Sequence, residues 1–290
     1  MLLRSARQIF LRIPRYLATA TSASEAPFKL ERLAGDDEGI VLFKLNRPET
    51  KNAISRRLLN DFCDAIDEVK FDRSARVLII ASEVAGAFCT GADLKERAQM
   101  SPEEVPRFVN KARGMMSELE KLPQPVIAAM DGFALGGGLE MALACDLRIA
   151  ADSAKMGLTE TRLAIIPGAG GTQRLPRIVG GAVAKELIFT GRMISGSEAR
   201  DIGLVNHVTV QNNEGNAAFK QALRLAQEIL PQGPIALKVA KLAISKGLDM
   251  DLQSALALEE LCYAQVIPTK DRLEGLKAFK EKRPPKYTGQ

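Results

Sequence analysis

Glu140 stands in a stretch where a charge is costly. In DGFALGGGLEMALACD, residues 131–146, glycines 136, 137 and 138 run straight into LEMALAC, which is apolar apart from that glutamate. A carboxylate moved from water into such surroundings loses solvation, so its presence asks for a chemical reason. Consecutive glycines ahead of a helix leave backbone N–H groups unobstructed and let a ligand approach closely. The helix start adds the positive end of its dipole. Amides fixed in this way suit a carbonyl oxygen that gains negative charge in a transition state. GAFCTGADLKE, residues 86–96, repeats the pattern, with Gly91 and Ala92 at the end of a short apolar strand. One donor from each stretch would make an oxyanion hole. A third stretch, MGLTETRLAIIPGAGGTQRLPR, residues 156–177, places Glu160 ahead of a glycine-rich turn. Standing alone, Glu160 reads first as a solvated or ion-paired side chain, and the three glycines read equally as a tight strand-to-helix turn. The glycine-rich turn lacks the lysine of a GxxxxGK[ST] phosphate loop, so nucleoside-triphosphate hydrolysis is set aside.

Other chemistries are poorly supplied. The chain has one histidine, His207, with no Ser, Cys or metal-binding motif beside it, which excludes a histidine-based triad or a multi-histidine metal site. Cys63, Cys89, Cys145 and Cys262 are scattered and form no CxxC, so buried thiols in a reducing compartment are expected.

The elements that must position these groups follow from patterning. IVLFKL (40–45), RVLIIAS (76–82) and PVIAAMDG (125–132) are short, apolar and partly β-branched, and each leads through a polar or glycine-rich turn toward a helical pattern. After Ser55, a capping residue, Leu58, Leu59, Phe62, Ala65, Ile66 and Val69 recur at helical spacing. Strands alternating with helices predict an α/β core. From about residue 215 onward helical patterns follow one another, with starts marked by Pro234, Asp251 and Thr269. A helical region of this kind is expected to pack on the core or on a neighbouring subunit.

Composition sets the remaining bounds. At 290 residues, 46% hydrophobic and 26% charged, the chain has the makeup of a soluble globular protein. No apolar run reaches the roughly 18 residues that a membrane span needs. The net charge of +5 is concentrated at one end: residues 1–24 hold four arginines and no acid, leaving 36 basic against 35 acidic residues elsewhere. On a helical wheel Leu2, Leu3, Ala6, Ile9, Phe10, Ile13 and Leu17 face one way and Arg4, Arg7, Arg12 and Arg15 the other. Residues 1–25 therefore read as a mitochondrial transit peptide. The nearly neutral remainder gives no electrostatic argument for nucleic acid.

Taken together, GAFCTGADLKE, DGFALGGGLEMALACDLRIAADSAKMG and ETRLAIIPGAGGTQRLPR, in order and correctly spaced, resemble the crotonase, or enoyl-CoA hydratase/isomerase, superfamily from about Ile40 to Arg283. LPQGPIALKVAKLAISKG and the segment ending KEKRPPKY are similar to its mitochondrial methylglutaconyl-CoA hydratase branch and to the enoyl-CoA hydratase domain-containing proteins. The resemblance implies a ββα-spiral core over residues 26–214 and a C-terminal helical trimerisation region over 215–290, assembled as a homo-hexamer of two trimers. It implies an acyl-CoA thioester substrate, no metal, no cofactor beyond the CoA carried by the substrate, and the mitochondrial matrix as location. Carried over by motif, Ala92 and Gly137 resemble the oxyanion-hole donors, and Glu140 and Glu160 the two catalytic glutamates. Ala53, Asp93, Leu94 and Lys95 resemble CoA-contacting positions, Gly168 begins the glycine turn beside the pocket, and Phe279 and Lys282 match C-terminal positions that close over CoA.

The implied reaction adds water across the α,β double bond of an enoyl-CoA, either 3-methylglutaconyl-CoA in leucine breakdown or a short-chain enoyl-CoA. Two carboxylates in one apolar pocket cannot both ionise easily, so one serves as base and the other as acid. The alternatives are a double-bond isomerase, which typically relies on one glutamate, and an RNA-binding homologue. RNA-binding relatives carry lysines four apart on the helix after KNAIS, whereas this chain has Arg56, Asn60 and Asp64 there, so RNA binding is not expected. For a distal carboxylate on the acyl group, Arg56, Arg97, Lys111 and Arg113 are the cationic candidates.

Overall fold

The computed structural model of the chain describes residues 26–290, so the segment read as a transit peptide lies outside the described residues. The described residues begin with β1 (Phe28–Arg32) and β2 (Ile40–Leu45), an antiparallel pair. Helix α1 (Arg56–Lys70) starts where Ser55 accepts a hydrogen bond from the Leu58 amide, and it buries the predicted stripe from Leu58 to Val69. Then follow β3 (Val77–Ser82), β4 (Ala87–Cys89), the short α2 (Leu94–Arg97) and α3 (Glu104–Glu120). The pattern repeats with β5 (Val126–Met130), β6 (Phe133–Leu135) and α4 (Gly137–Leu143). It repeats again with β7 (Leu147–Ala151), β8 (Lys155–Gly157) and, after a 3-10 turn at Glu160–Leu163, α5 (Gly171–Val179).

Two sheets result. The larger has the order β1-β2-β3-β5-β7-β10 and the smaller β4-β6-β8-β9, where β9 is Ile194–Ser195 and β10 is His207–Thr209. Each turn of chain gives one strand to the large sheet, the next to the small sheet, and then a helix. Successive large-sheet strands β2, β3, β5 and β7 are therefore parallel, as are β4, β6 and β8 in the small one. This is the ββα spiral that the resemblance implies.

The large sheet is buried on both faces, as parallel sheets are, and its strands read as continuous apolar runs for that reason. Because side chains alternate, Val41, Phe43 and Leu45 of β2 enter the main core while Ile40 and Leu42 enter a second, smaller one. Phe28, Phe43 and Phe62 form an edge-and-tilt aromatic cluster at 5.2–5.3 Å that ties β1 and α1 to the sheet. Between β9 and β10 runs α7 (Gly196–Asp201), and α6 (Gly181–Thr190) follows α5.

The helical part begins with α8 (Ala217–Ile229), followed by α9 (Pro234–Gly247), α10 (Leu252–Val266) and α11 (Lys270–Glu281). Helix α8 belongs to the core: Ala218, Ala222 and Ala226 lie on Ile79, Ile127 and Ile149 of the large sheet. Small alanines at i, i+4 and i+8 let the helix sit close. Beyond α8 the helices stand on fewer anchors. Lys241 of α9 reaches Asp146 at 2.6 Å, and Arg76 donates to the carbonyls of Leu230 and Gln232. Asp251 and Thr269 cap α10 and α11, as their sequence positions predict. Leu248, Leu252, Leu261, Tyr263, Leu273 and Leu276 leave large apolar surfaces exposed on α9–α11 and the turn after α9.

Candidate active site

The site is built where the ends of β4 and β6 come together. Gly91 has φ +87°, and a Cβ there would lie 2.9 Å from the Leu135 carbonyl oxygen, so only glycine allows the approach. The Ile54 amide donates to the Gly91 carbonyl at 2.7 Å, and the Asp93 amide to the Ile54 carbonyl at 3.0 Å. These two bonds flank Ala92 and leave its own N–H without a backbone acceptor. Gly136 caps α4 with φ +50°, which places Gly137 and Gly138 in the first turn of the helix rather than ahead of it. The Gly137 N–H, at the first helical position, likewise has no backbone acceptor. A Cβ built on Gly137 would be 3.6 Å from the Gly91 Cα and 3.8 Å from the Ala92 nitrogen. The structure thus brings the two predicted donors side by side.

Glu140, in the first turn of α4, is 3% exposed. Its Oε1 accepts hydrogen bonds from the amides of Ala169 and Gly171, each at 2.8 Å. Burial pushes its carboxyl above the usual range, while those amides and then Arg174 and Arg113 act in the opposite direction. Glu160 opens the 3-10 turn after β8. Burial raises its carboxyl to about 7, and the negative charge of Glu140 adds to the rise. Its Oε2 is buried with no hydrogen-bond partner. Its Oε1 comes within 3.0 Å of where a Cβ on Gly136 would sit, so that glycine makes room for the carboxylate. One carboxylate is therefore held by two amides, and the other keeps a buried oxygen without a partner and a proton available near neutrality.

Both face a single cavity of about 880 Å³. Ala92, Gly137, Glu140 and Glu160 line it, and so do Leu94 and Gly168. Its other walls are largely apolar: Ile54, and Phe108, Val109, Ala112 and Met116 of α3, with Leu163, Ile165, Ile166 and Pro167 from the loop before α5. Ala53, Asp93, Lys95, Phe279 and Lys282 are not among its lining residues. The Ala53 carbonyl accepts from the Arg47 guanidinium, which also pairs with Asp93 at 3.2 Å. Asp93 further caps α2 by accepting from the amides of Lys95 and Glu96. Phe279 projects into solvent at 87% exposure, and Lys282 ends α11 in a left-handed conformation.

Arg97 and Arg113 line the cavity, whereas Arg56 and Lys111 line a separate hollow of about 290 Å³ with Asn60, Glu104 and Arg107. Arg56 is paired there with Glu104 and Glu96, and Lys111 donates to Asn60. Sequence reading missed the α3 wall and the loop amides that hold Glu140. The apolar spacing of α3 was visible, but which of its faces meets the cavity is set by the tertiary packing. Among the described residues no group of three His, Cys, Asp or Glu side chains is placed to hold a metal ion, and no helix is long and apolar enough to cross a membrane. His207 is exposed on β10.

A spiral of ββα turns that sets two carboxylates and two open amides around an apolar cavity defines a class. The enoyl-CoA hydratase/isomerase family model matches residues 35–290, and the chain belongs to that family. It is 58% identical over 267 residues to human mitochondrial methylglutaconyl-CoA hydratase, covering 92% of this chain and 79% of that one. It is 54% identical to mouse mitochondrial enoyl-CoA hydratase domain-containing protein 2, covering 97% of each. Among solved structures, an enoyl-CoA hydratase from Bacillus anthracis superposes with a TM-score of 0.87 at 48% identity, covering 91% of this chain and all of that one.

Proposed function

We propose that this enzyme hydrates enoyl-CoA thioesters, with Ala92 and Gly137 as the oxyanion hole and Glu140 and Glu160 as the acid–base pair. The observation that carries the reading is the asymmetry of the two carboxylates in one cavity: Glu140 tied to the amides of two other residues, Glu160 with a buried oxygen that has no partner and a carboxyl raised by burial to about 7. The thioester oxygen accepts from both open amides. Glu140 orients a water and takes its proton as the oxygen bonds to Cβ. The π electrons move toward the thioester, whose oxygen carries the enolate charge. Glu160 delivers its proton to Cα, the carbonyl re-forms, and the proton on Glu140 returns to Glu160 through solvent. Oxyanion donors of this kind are worth about 3 kcal/mol each. No step calls for a cofactor beyond the CoA of the substrate.

Two observations bear on the substrate. The walls are apolar, which suits a short acyl chain, and Arg97 and Arg113 supply the cations that a distal carboxylate would want. With the name of its human relative, this favours 3-methylglutaconyl-CoA, an intermediate of leucine breakdown, over an unbranched short-chain enoyl-CoA. Leu94 and Gly168 contact the CoA end from within the cavity. Ala53, Asp93 and Lys95 shape the adjoining backbone, and Phe279 and Lys282 complete the site across a subunit boundary. The exposed apolar side chains of α9–α11 support trimerisation and a hexamer of two trimers. The arginine-rich, acid-free residues 1–24 and the mitochondrial relatives support import into the matrix.

The test is loss of the conjugated-thioester absorbance with 3-methylglutaconyl-CoA and crotonyl-CoA. A higher kcat/KM for the branched, carboxylated substrate is expected. Turnover of crotonyl-CoA alone would assign the short-chain substrate, and turnover of neither would overturn the reading.

A further inference from the structure

The loop that holds Glu140 is itself held, from both sides, by arginines. The Gly168–Ala169 peptide donates its N–H to Glu140 Oε1 at 2.8 Å. The carbonyl of that same peptide accepts from Arg113 Nε of α3 at 2.9 Å. The next carbonyl, of Ala169, accepts from an Arg174 guanidinium nitrogen at 3.1 Å. Arg174 lies on α5, and its other terminal nitrogen pairs with Glu120 of α3 at 2.8 Å. Gly170 lies beneath this guanidinium with φ +114°, and a Cβ there would stand 2.1 Å from the arginine nitrogen. The contact thus demands glycine, and the loop has little freedom to turn its amides away from the carboxylate.

We propose that Arg113 and Arg174 are positioning residues that act on Glu140 through the backbone of residues 168–171, aiming its carboxylate and keeping it ionised for proton abstraction. The inference rests on the acid–base role given to Glu140 above. One peptide plane separates the Arg113 guanidinium from the carboxylate. Hydrogen bonds in series through a peptide polarise one another, so a cation on the carbonyl strengthens the N–H as a donor. Both arginines also act directly on the carboxyl as positive charges in the direction of lower pKa. The other charged groups facing Glu140 are Glu160 from the 3-10 turn, which opposes ionisation, and Arg97 of α2 across the cavity. Of the strands packed against α4, β4 contributes the buried thiol of Cys89, and β7 contributes Arg148, whose guanidinium donates to the Ala142 carbonyl near the far end of the helix.

The experiment is the pH dependence of kcat for crotonyl-CoA hydration by the full chain and by R113M, R113K, R174M and R174K, with Tm recorded for each. Removing a cation raises the Glu140 carboxyl, so the ionised fraction falls at low pH and recovers at high pH. For R113M and R174M the acid limb should move up by about one pH unit, a roughly tenfold loss below it, with KM changed less than about threefold. The lysine variants should restore part of the limb's position. Arg113 is exposed, so R113M keeps the test valid if R174M does not fold. An acid limb that stays in place in folded R113M, or a loss equal at every pH, would overturn the inference. If the wild-type chain does not turn over crotonyl-CoA or 3-methylglutaconyl-CoA, the hydratase reading fails first, which separates the two.

Discussion

At the scale of single residues, the same two glutamates that promise chemistry carry a cost to the fold. The folded-state carboxyl of Glu160 lies near 7 against 4.5 for an exposed glutamate. The folded state therefore binds a proton more readily than the unfolded chain between those values. Stability from this group is fully present below about pH 4.5 and is lost as pH rises through about 7. E160Q should then be more stable than wild type at pH 8 by about 2 kcal/mol, allowing for partial exposure, with the gap closing toward pH 4.5. Thermal unfolding of both proteins across that range checks it, and an equal Tm at pH 8 would contradict it. Activity follows the same proton: Glu160 must be protonated to donate, so kcat/KM should decline above about pH 7, measurable in the absorbance assay. Glu140 was legible as a residue because a carboxylate in LEMALAC contradicts its surroundings, whereas Glu160 was singled out only by the resemblance. The partners of Glu140 were not legible, since the amides of Ala169 and Gly171 lie 29 and 31 residues from Glu140 and meet it only through the fold.

At the scale of elements, glycines decide where backbones meet. A Cβ on Gly138 would come 2.1 Å from the Cys89 carbonyl oxygen, which is backbone and cannot swing aside. G138A should therefore push the start of α4 away from β4, costing about 3 kcal/mol and lowering kcat about 100-fold as the Gly137 donor moves. Denaturant unfolding and the hydration assay check the two parts. A second element-scale prediction concerns the anchor of α9. Lys241→Met would leave Asp146, which accepts from both Lys241 and the Val126 amide, without its cation. A loss of about 3 kcal/mol is expected, read by urea unfolding. Strands β2, β3 and β5 and helix α1 were legible because they are buried on both faces or carry a clean helical stripe with a cap. Strands β4, β6, β8 and β9, two or three residues each, are too short for any periodicity to register. Yet β4, β6 and β8 are the strands whose ends lead to the two proposed oxyanion donors and to Glu160.

At the scale of the whole molecule, the alternation of strands between two sheets explains how one cavity gathers groups from residue 54 to residue 173. Each turn of the spiral delivers one loop to the same edge, so Ala92, Gly137 and Glu160 come from three successive turns. Sequence alternation of strands and helices announces an α/β fold; the spiral was available only through resemblance, because periodicity does not say which sheet a strand joins. The C-terminal helices extend the argument outward. Leu252 and Leu261 are 70% and 67% exposed on α10, a large apolar surface for an isolated chain. Light scattering should find an assembly several times the mass of one chain, and a double change to aspartate, L252D with L261D, should shift it toward smaller species. A wild-type monomer would contradict that part of the account.

The central claim is that two carboxylates in one cavity divide the labour of adding water. The most direct measurement is the rate of crotonyl-CoA hydration by wild type, E140Q and E160Q, each shown folded by its thermal transition. The account predicts rapid turnover by wild type and a loss of roughly 100-fold to 10,000-fold in each single variant. Wild-type rates in either glutamine variant would contradict it.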